Sequence, residues 1–379
     1  MTEKTSGLAS KPTTIPLAEL QAFVTAAFVK AGLASADAAT MTSSLVMADL
    51  RGTHSHGIIR LPFLVDRLLQ GGAKRTPDIR VVNEAPATAL LDGDQALGAI
   101  TATRAMKLAV EKAKTQGIGM VTARNSDFLG TCAHYAMMGL PHDMIGICWT
   151  NGFPGMAPAG GRSNTIGNNP IAFAAPSLTH GPIVLDMALS VAAGGRIRVA
   201  AKNGEKIPAD WLVDSEGRPT DDPNALTSGG ALLPLGYKGY GLAVFGEILC
   251  GALTGSRMLS EIPAWFKDTS RDIGNGHIHI AIDISKFVEP RAFKERVDVM
   301  VGMLKATPLM PDVREILMPG ERAWRTQQAQ EKDGIPVPEP VAADLRRLAV
   351  SLGIDLPACL AAPLVAESAK TPAVAAQPA

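Results

Sequence analysis

The segment 49–62 has the sequence DLRGTHSHGIIRLP, which concentrates side chains that handle protons or charge. His54 and His56 flank Ser55, and Arg51 and Arg60 stand on either side of them. Three kinds of site use such residues: a metal centre, a cluster for acid–base catalysis, and the polar start of a helix. These alternatives differ in the partners that they require elsewhere in the chain.

A metal centre requires more ligands than the two histidines of this segment provide. An H-x-H pair can chelate a divalent ion, but a catalytic zinc site needs a third protein ligand, often a carboxylate. H-E-x-x-H does not occur, and the remaining histidines lie outside any matching motif: His134, His142, His180, His277 and His279. We therefore predict no metal site.

An acid–base cluster accounts for more of the residues. His56 and Arg60 are four positions apart, so a helix that begins near Ser55 would present both on one face. Imidazole, with a solution pKa of about 6.5, transfers protons near neutral pH. A guanidinium group makes a two-pronged contact with a carboxylate, and Ser55 could orient the imidazole or relay its proton. The trio suits a small substrate with a carboxylate beside a carbonyl, imine or hydroxyl group.

Helices on both sides position this segment. Apolar residues recur at helical spacing over 17–33, 36–50 and 58–69, and Gly52 interrupts the pattern. The segment therefore lies between two helices, and its second half begins one of them. In the simplest alternative, Thr53 or Ser55 caps that helix, and the histidines lie at its solvated start.

From residue 89 the pattern alternates between strands and helices, which is typical of an α/β domain. Strands are predicted at 90–98 (with a turn), 118–123, 144–149, 170–174, 183–187 and 277–284. Helices are predicted at 99–116 and 131–140, a buried one at 238–253, and more after residue 290. We predict a helical N-terminal part, a central sheet, and a helical C-terminal part that packs back on the first.

The composition excludes two classes of partner. Lys+Arg and Asp+Glu both number 36, so no net field attracts nucleic acid or a membrane surface. The longest apolar segment, 241–255, carries Glu247 and is too short to span a bilayer. The chain begins without the apolar run of a signal peptide, and its 4 cysteines form no CxxC pair. We therefore expect a cytoplasmic protein with reduced thiols, and an Ala/Pro-rich disordered tail at 366–379.

The usual nucleotide-binding motifs are missing from the 379 residues. Neither G-x-G-x-x-G nor G-x-x-x-x-G-K-[ST] occurs, and the run GYKGYG at 236–241 only approximates a phosphate loop. A dinucleotide would therefore have to bind without the ordinary Rossmann fingerprint.

Several segments in register resemble the type-2 malate/lactate dehydrogenase family. DLRGTHSHGIIRLP is similar to its D-x-R-G-x-x-S-H-G-x-x-R signature, and the resemblance continues to about residue 325. Further similar segments are GNNPIAFAAP, VLDMALSVAAGGRI, IPADWLVDSEGRPTDDP, KGYGLAVFGEILCGALTG and ILMPGER. The resemblance implies NAD- or NADP-linked hydride transfer on small 2-oxo or 2-hydroxy acids or related imines. It also implies an α/β, non-Rossmann fold with a central mixed sheet flanked by helices, and a homodimer.

The pattern of helices and strands, taken together with the resemblance, predicts a division of the chain. A helical part, 1–88 with 290–365, carries the catalytic motif and a dimer interface, and 89–289 form the cofactor-binding part. By resemblance, His56 is the proton donor and acceptor, Ser55 its relay partner, and Arg60 the anchor of the substrate carboxylate, with Asn168 also on the substrate side. The residues that carry over as cofactor contacts are Phe128, Leu129, Gly130, Thr131, Cys132, Asp186, Met187, Ala188, Lys238, Met318, Pro319, Gly320, Glu321 and Arg322.

Four positions depart from the family pattern. Phe128 replaces a histidine that serves as a second acid/base in some members, and Asn168 and Leu189 replace threonines. Arg196 stands where many members have lysine and the cyclic-imine reductases have aspartate. An arginine cannot complete a Ser–His–Asp relay, so a 2-oxo/2-hydroxy acid is favoured over a cyclic imino acid (Δ1-piperideine- or pyrroline-2-carboxylate). A non-catalytic, ligand-binding relative is the alternative from another class, and the intact Ser55, His56 and Arg60 disfavour it.

Overall fold

A computed structural model describes residues 12–264 and 266–361, so the predicted tail at 366–379 lies outside the described residues. The N-terminal part begins with strand β1 (Thr13–Ile15), helix α1 (Leu17–Lys30) and helix α2 (Ser35–Leu50). Two 3-10 turns, His54–His56 and Ile58–Arg60, then lead into α3 (Leu61–Gln70). The helix predicted at 58–69 thus begins as a 3-10 turn.

The central part contains most of the strands. Its elements are β2 (Arg80–Glu84), β3 (Thr88–Asp92), α4 (Gly98–Gln116), β4 (Ile118–Ser126), α5 (Cys132–Ala136), β5 (Met144–Thr150), β6 (Ile171–Ala175), β7 (Ile183–Met187), α6 (Gly194–Asn203), β8 (Leu212–Val213), β9 (Pro219–Thr220), β10 (Ala231–Leu232), α7 (Gly236–Glu247) and β11 (Asn275–Asp283). The C-terminal part adds α8 (Pro290–Lys305), α9 (Glu321–Asp333), β12 (Ile335–Val337) and α10 (Glu339–Leu352).

Seven strands form one mixed sheet in the order β2-β3-β4-β11-β5-β6-β7. Only the β3–β4 pair is parallel; the other neighbours in this sheet run antiparallel. β11 lies in the middle, where Ile278 pairs with Thr122 on one side and Trp149 on the other. The central mixed sheet expected from the resemblance is therefore present.

Small residues let helices pack closely on this sheet. A Cβ atom added at Gly119 of β4 would lie 2.0 Å from the carbonyl oxygen of Ala109 in α4. A Cβ at Gly146 of β5 would lie 1.9 Å from the carbonyl oxygen of Ala136, at the end of α5. Any side chain at either glycine would push the helix away, so these positions fix the layer spacing.

The two ends of the chain meet. β1 and β12 pair antiparallel, with Thr13 opposite Val337 and Ile15 opposite Ile335. Helix α10 contacts both α1 and α3. The helical part built from both termini, which the sequence predicted, is therefore present. Among the described residues, no helix is long and apolar enough to cross a bilayer.

One predicted helix differs in its surroundings. The apolar run 238–253 was expected to be a buried helix, but α7 ends at Glu247 and continues as a π-type turn over Ile248–Ala252. Tyr237, Phe245 and Leu253 are exposed, at 75%, 60% and 55% of their surface. The prediction of burial was wrong because apolar character alone does not distinguish a core helix from one with an open apolar face.

Candidate active site

Asp49, at the end of α2, organises the segment that carries the histidines. Its buried carboxylate accepts a hydrogen bond from His54 Nδ1 at 2.9 Å and another from the Ile58 amide at 2.6 Å. Burial raises the pKa of Asp49, and the hydrogen bond from His54 opposes that rise. The same hydrogen bond raises the pKa of His54. One carboxylate thus closes the turn between the two 3-10 segments.

Gly57 is required at the centre of this turn. A Cβ atom there would lie 2.1 Å from Asp49 Oδ2. The backbone of Gly57, with ψ −147°, also separates the two 3-10 turns. The expectation of one helix from Ser55, with His56 and Arg60 on a shared face, is therefore wrong.

Ser55, His56 and Arg60 are nevertheless held together by hydrogen bonds. Ser55 Oγ lies 2.9 Å from His56 Nδ1, and Arg60 Nε donates to the Ser55 carbonyl oxygen at 2.7 Å. Burial, followed by the positive charge of Arg60, lowers the pKa of His56 to about 4. The free protein therefore carries a neutral imidazole at this position at neutral pH.

Phe128 packs against the imidazole. The rings of His56 and Phe128 are stacked, with centroids 5.8 Å apart and planes 16° from parallel. An apolar ring, which cannot carry a proton, therefore lies against the His56 imidazole. Its neighbour Asp127 fixes the loop, because the Asp127 carboxylate accepts a hydrogen bond from the Phe128 amide at 2.7 Å.

A buried ion pair holds Asp127 in turn, and the sequence analysis missed it. Arg67 Nη2 of α3 lies 2.5 Å from Asp127 Oδ2, and both side chains are almost completely buried. Arg67 also donates to the carbonyl oxygens of Gly72 and Arg271. Burial raises the pKa of Asp127, and the charge of Arg67 opposes that rise. The sequence feature that could have indicated this ion pair is an arginine within the apolar stripe of α3. Its partner, Asp127, lies 60 residues further along the chain.

The four candidate cofactor segments comprise, or are attached by hydrogen bonds to, β7 and the residues that directly follow it. The Ala133 amide, next to the 128–132 loop, donates to Asp186 Oδ2 at 3.2 Å. The Val184 amide of β7 donates to the Pro319 carbonyl oxygen at 3.0 Å. The segment before Lys238 is attached nearby, because the Leu235 amide donates to the carbonyl oxygen of Leu189 at 2.8 Å.

Asp186, near the end of β7, is open to solvent on one side, but protein atoms surround much of its carboxylate, and the charge of Arg51 acts on it. Desolvation by the surrounding groups raises the pKa of Asp186 to about 6. The hydrogen bond from the Ala133 amide and the charge of Arg51 oppose this rise. Arg51 is buried and donates to Gln327 of α9 at 3.2 Å. The arginine of the D-x-R-G signature thus links the end of α2 to α9, and its charge acts on Asp186.

Glu321 braces the 318–322 loop. Its carboxylate accepts hydrogen bonds from Lys305 Nζ at 2.8 Å and from the Met318 amide at 2.9 Å. These bonds overcome the effect of burial and lower the pKa of Glu321 to about 2. Gly320 adopts φ +79°, and a Cβ there would lie 2.5 Å from the Val184 carbonyl oxygen. The loop is therefore fixed to both α8 and β7.

The donor set at this end of the sheet fits a dinucleotide. Lys238 and Arg322 are exposed, and neither has an acidic partner within ion-pair distance in the part of the chain that is described. Two such cations suit a pyrophosphate or ribose phosphate. The buried side chains of Leu129, Thr131 and Cys132 offer only their backbone to a ligand, whereas Gly130 (φ +81°), Met187 and Ala188 are partly open.

Asn168 belongs to a loop that a buried polar network holds. The Asn168 carbonyl oxygen accepts a hydrogen bond from the Leu189 amide at 2.8 Å. Next to it, the buried Asn169 side chain donates to Glu247 Oε1 at 3.1 Å, and Asn151 donates to Glu247 Oε2 at 3.2 Å. Burial raises the pKa of Glu247. The sequence feature that could have indicated this network is Glu247, a carboxylate within the apolar segment of α7.

The two histidines of the segment have separate partners, Asp49 for His54 and Ser55 for His56. In the described ranges, no three His, Cys, Asp or Glu side chains form a group that could hold a metal ion. All four cysteines are free, and Cys132, Cys148 and Cys250 are buried.

Comparison with known proteins shows the family of the chain. The malate/L-lactate dehydrogenase family model matches residues 15–346. The chain belongs to that family. As a malate/L-lactate dehydrogenase family member, it is an oxidoreductase that acts on 2-hydroxy acids with a nicotinamide cofactor.

Individual family members are similar over most of their length. The malate dehydrogenase of Pyrococcus horikoshii is 39% identical over 350 residues, which cover 90% of this chain and 96% of that protein. The malate/(S)-sulfolactate dehydrogenase of Methanothermus fervidus is 37% identical over 86% of this chain and 94% of its own. The crystal structure of malate dehydrogenase from Entamoeba histolytica matches with a TM-score of 0.87 at 30% identity, covering 92% of this chain and 100% of the other.

Proposed function

We propose that this chain interconverts a small 2-oxo acid and its 2-hydroxy acid, with His56 as proton donor and acceptor. The observation that carries the proposal is the 2.9 Å contact between Ser55 Oγ and His56 Nδ1 beside an arginine fixed to the same serine. This contact orients the ring and leaves Nε2 for the substrate oxygen. A bound nicotinamide would supply the hydride for reduction and accept it in oxidation.

Ser55 suits both directions of this reaction. A hydroxyl group both donates and accepts hydrogen bonds, so Ser55 can hold the imidazole whether or not Nδ1 carries a proton. In oxidation, neutral His56 removes the proton from the substrate hydroxyl. The lowered pKa of His56 keeps it in this basic form at neutral pH.

Arg60 couples substrate binding to protonation. We propose that it binds the substrate carboxylate, since a guanidinium group matches a carboxylate with two parallel hydrogen bonds. An anion on Arg60 offsets the positive charge that depresses the pKa of His56. Substrate binding therefore raises the pKa of His56, which prepares it to donate a proton during reduction.

The cofactor is proposed to lie at the end of β7. Lys238 and Arg322 would bind its phosphates, and the open backbone at Gly130, Met187 and Ala188 would contact the remainder. Phe128, the first residue of the 128–132 loop, is in stacking contact with the His56 imidazole. The proposed cofactor is NAD or NADP, and an assay with NADH and NADPH distinguishes the two.

A cyclic imino acid reductase is the second candidate from the sequence. Its Ser–His–Asp relay would need an acidic partner at position 196, where this chain has arginine. The Arg196 guanidinium instead stacks on the Trp211 ring, 4.7 Å from its centroid. This position therefore favours a 2-oxo acid, and the assay includes imines as a direct comparison.

The proposed function is tested by oxidation of NADH and NADPH with a panel of pyruvate, oxaloacetate, 2-oxoglutarate and Δ1-piperideine-2-carboxylate. We expect turnover with at least one 2-oxo acid and a clear preference for one cofactor. Turnover of the imine alone would establish the alternative reductase. Cofactor binding without turnover of any compound would indicate a non-catalytic relative and refute the proposal.

We also propose a homodimer formed through an apolar face of α8. Val299, Met300, Met303 and Leu304 are exposed there, and Met303 keeps 72% of its surface open. A contiguous apolar surface of this kind marks an interface. Light scattering should give twice the chain mass, and Met303→Lys should give a monomer. Val350→Lys is the control, because this isolated apolar residue on α10 is equally exposed at 73%.

The chain's organisation belongs to the same proposal. The helical part, 1–88 with 290–365, would carry the catalytic motif and the dimer face, and 89–289 would bind the cofactor. A cytoplasmic location is consistent with the four free cysteines.

A further inference from the structure

The backbone of Phe128 is held by two helices. The Asp127 carboxylate accepts a hydrogen bond from the Phe128 amide at 2.7 Å, and Arg67 of α3 is paired with that carboxylate. At the start of α4, a Cβ atom built on Gly98 would lie 2.4 Å from the Phe128 carbonyl oxygen, so the loop rests directly on that helix. The Phe128 ring therefore projects from a fixed point of the fold.

This ring is stacked on the His56 imidazole. The two centroids are 5.8 Å apart and the planes differ by 16°, which is the geometry of an offset-stacked pair. On its other side, Phe128 packs against the main hydrophobic core. The imidazole Nδ1 is occupied by Ser55 Oγ at 2.9 Å. An aromatic ring in this place offers the imidazole no hydrogen-bond acceptor and keeps water from the face that it covers.

The charges around His56 act in the same direction as the apolar ring. In the described part of the chain, Arg60 is the charged group that acts on His56, and its effect adds to that of burial. The other ionisable side chains on the elements that meet here are bonded in pairs: His54 with Asp49, and Arg67 with Asp127. Their carboxylates are therefore engaged, and apolar cover and positive charge both favour a neutral imidazole.

We propose that Phe128 is a positioning residue for the reaction, because it seals one face of the His56 imidazole from water and so keeps the ring in its neutral, proton-accepting form. This inference rests on the proposed function in one respect, the role of His56 as the base in oxidation. The buried pair of Arg67 and Asp127 then has a use beyond stability. An apolar pair of similar volume is often no less stable, but it could not hold the Phe128 amide.

An NMR titration of His56 in the cofactor-free protein tests the inference with Phe128→Ala and Phe128→Leu. In Phe128→Ala, water reaches the uncovered face of the imidazole. We expect the pKa of His56 to rise from about 4 to about 5 or above, toward the value of about 6.5 for a solvated imidazole. Phe128→Leu keeps part of the apolar cover and should give an intermediate pKa. The acid limb of kcat/KM for oxidation should move to higher pH by the same interval.

Phe23→Leu is the matched control. Phe23 is a buried ring of α1 in the same hydrophobic core, so this change removes an aromatic ring from the core and leaves the one stacked on His56 in place. We expect a lower melting temperature and an unchanged pKa of His56. A purely structural role of Phe128 would lower stability and activity at every pH without moving the pKa. That result, or an equal rise of the pKa in Phe23→Leu, would overturn the inference.

The titration needs no substrate, so the inference and the proposed function can fail separately. If wild type turns over no 2-oxo acid, the proposed function fails, whereas the titration still decides whether the Phe128 ring controls the protonation of His56. Thermal unfolding checks that each variant is folded. If Phe128→Ala does not fold, Phe128→Leu decides the question by whether its pKa for His56 lies above that of wild type.

Discussion

The Asp49 carboxylate occupies the space that a side chain at position 57 would fill, with its Oδ2 only 2.1 Å from a Cβ built on Gly57. The same carboxylate binds His54 and the Ile58 amide, so the turn that presents His56 depends on this pair. The signature D-x-R-G-x-x-S-H-G-x-x-R therefore contains its own scaffold as well as its chemistry.

Gly57→Ala should disrupt this turn. The added methyl group must displace either the backbone or the Asp49 carboxylate, so we expect a fall in melting temperature of several degrees and a large loss of kcat. Gly195→Ala is the control, because nothing lies within 4 Å of a Cβ at that helical position. Differential scanning calorimetry and the reductase assay measure both effects. A Gly57→Ala protein as stable and active as the control would contradict the role of Asp49.

Asp127→Ala should be strongly destabilising. Removing one partner of a buried ion pair leaves Arg67 without compensation, which costs about 3–5 kcal/mol, and it also frees the Phe128 amide. Asp127→Asn should cost less than Asp127→Ala, because its one amide oxygen can still accept from Arg67, although the NH2 group cannot accept from the Phe128 amide. Urea unfolding gives the free energies. The exposed pair Arg347–Asp344 is the control, and Asp344→Ala should cost at most about 1 kcal/mol.

The turn at Gly57 and the ion pair of Asp127 show which parts of this site the sequence can and cannot predict. Ser55, His56 and Arg60 lie within one short segment, so the sequence alone could predict them as a candidate acid–base cluster, and the family resemblance supplied their proposed roles. Arg67 and Asp127 are 60 residues apart, and no local pattern links them. The sheet strands were predictable because apolar runs between turns have a clear period, but their order was not, since strand pairing depends on contacts distant in sequence. The break in the helix at Gly57 could not be predicted either, because it depends on the side chain of Asp49, eight positions earlier.

The pKa of His56 should rise when Arg60 is neutralised. Burial, followed by the charge of Arg60, lowers the pKa of His56 to about 4. Arg60→Gln removes the effect of the charge and leaves the effect of burial. We expect an upward shift in the NMR titration of His56 in the cofactor-free protein. For oxidation, which needs the neutral base, kcat/KM in wild type should rise with pH through this pKa and stay level above it. An unchanged or lower pKa in Arg60→Gln would argue against the coupling.

Acid should destabilise the fold through His277 and His279. Both are completely buried; burial lowers the pKa of His277 to about 3 and that of His279 well below its usual 6.5. Because the unfolded chain takes up protons near pH 6.5 and the folded chain does not, their contribution is complete above that pH and is lost as pH falls toward 3.

Urea unfolding at a series of pH values measures this loss. Each neutral histidine contributes a slope of up to about 1.4 kcal/mol per pH unit below pH 6.5. His279→Phe should reduce the slope by about that amount, whereas exposed His142→Gln should leave it unchanged. Equal slopes for His279→Phe and wild type would mean that His279 is already protonated in the fold.

The central claim is that His56 transfers the proton, and His56→Ala tests it most directly with the 2-oxo acid that wild type reduces best. We predict a fall in kcat of at least about a hundredfold. Cofactor affinity, measured by quenching of protein fluorescence, should be unchanged because the proposed phosphate contacts lie at Lys238 and Arg322. A variant that keeps nearly the wild-type rate, with the same cofactor affinity, would contradict the assignment of His56.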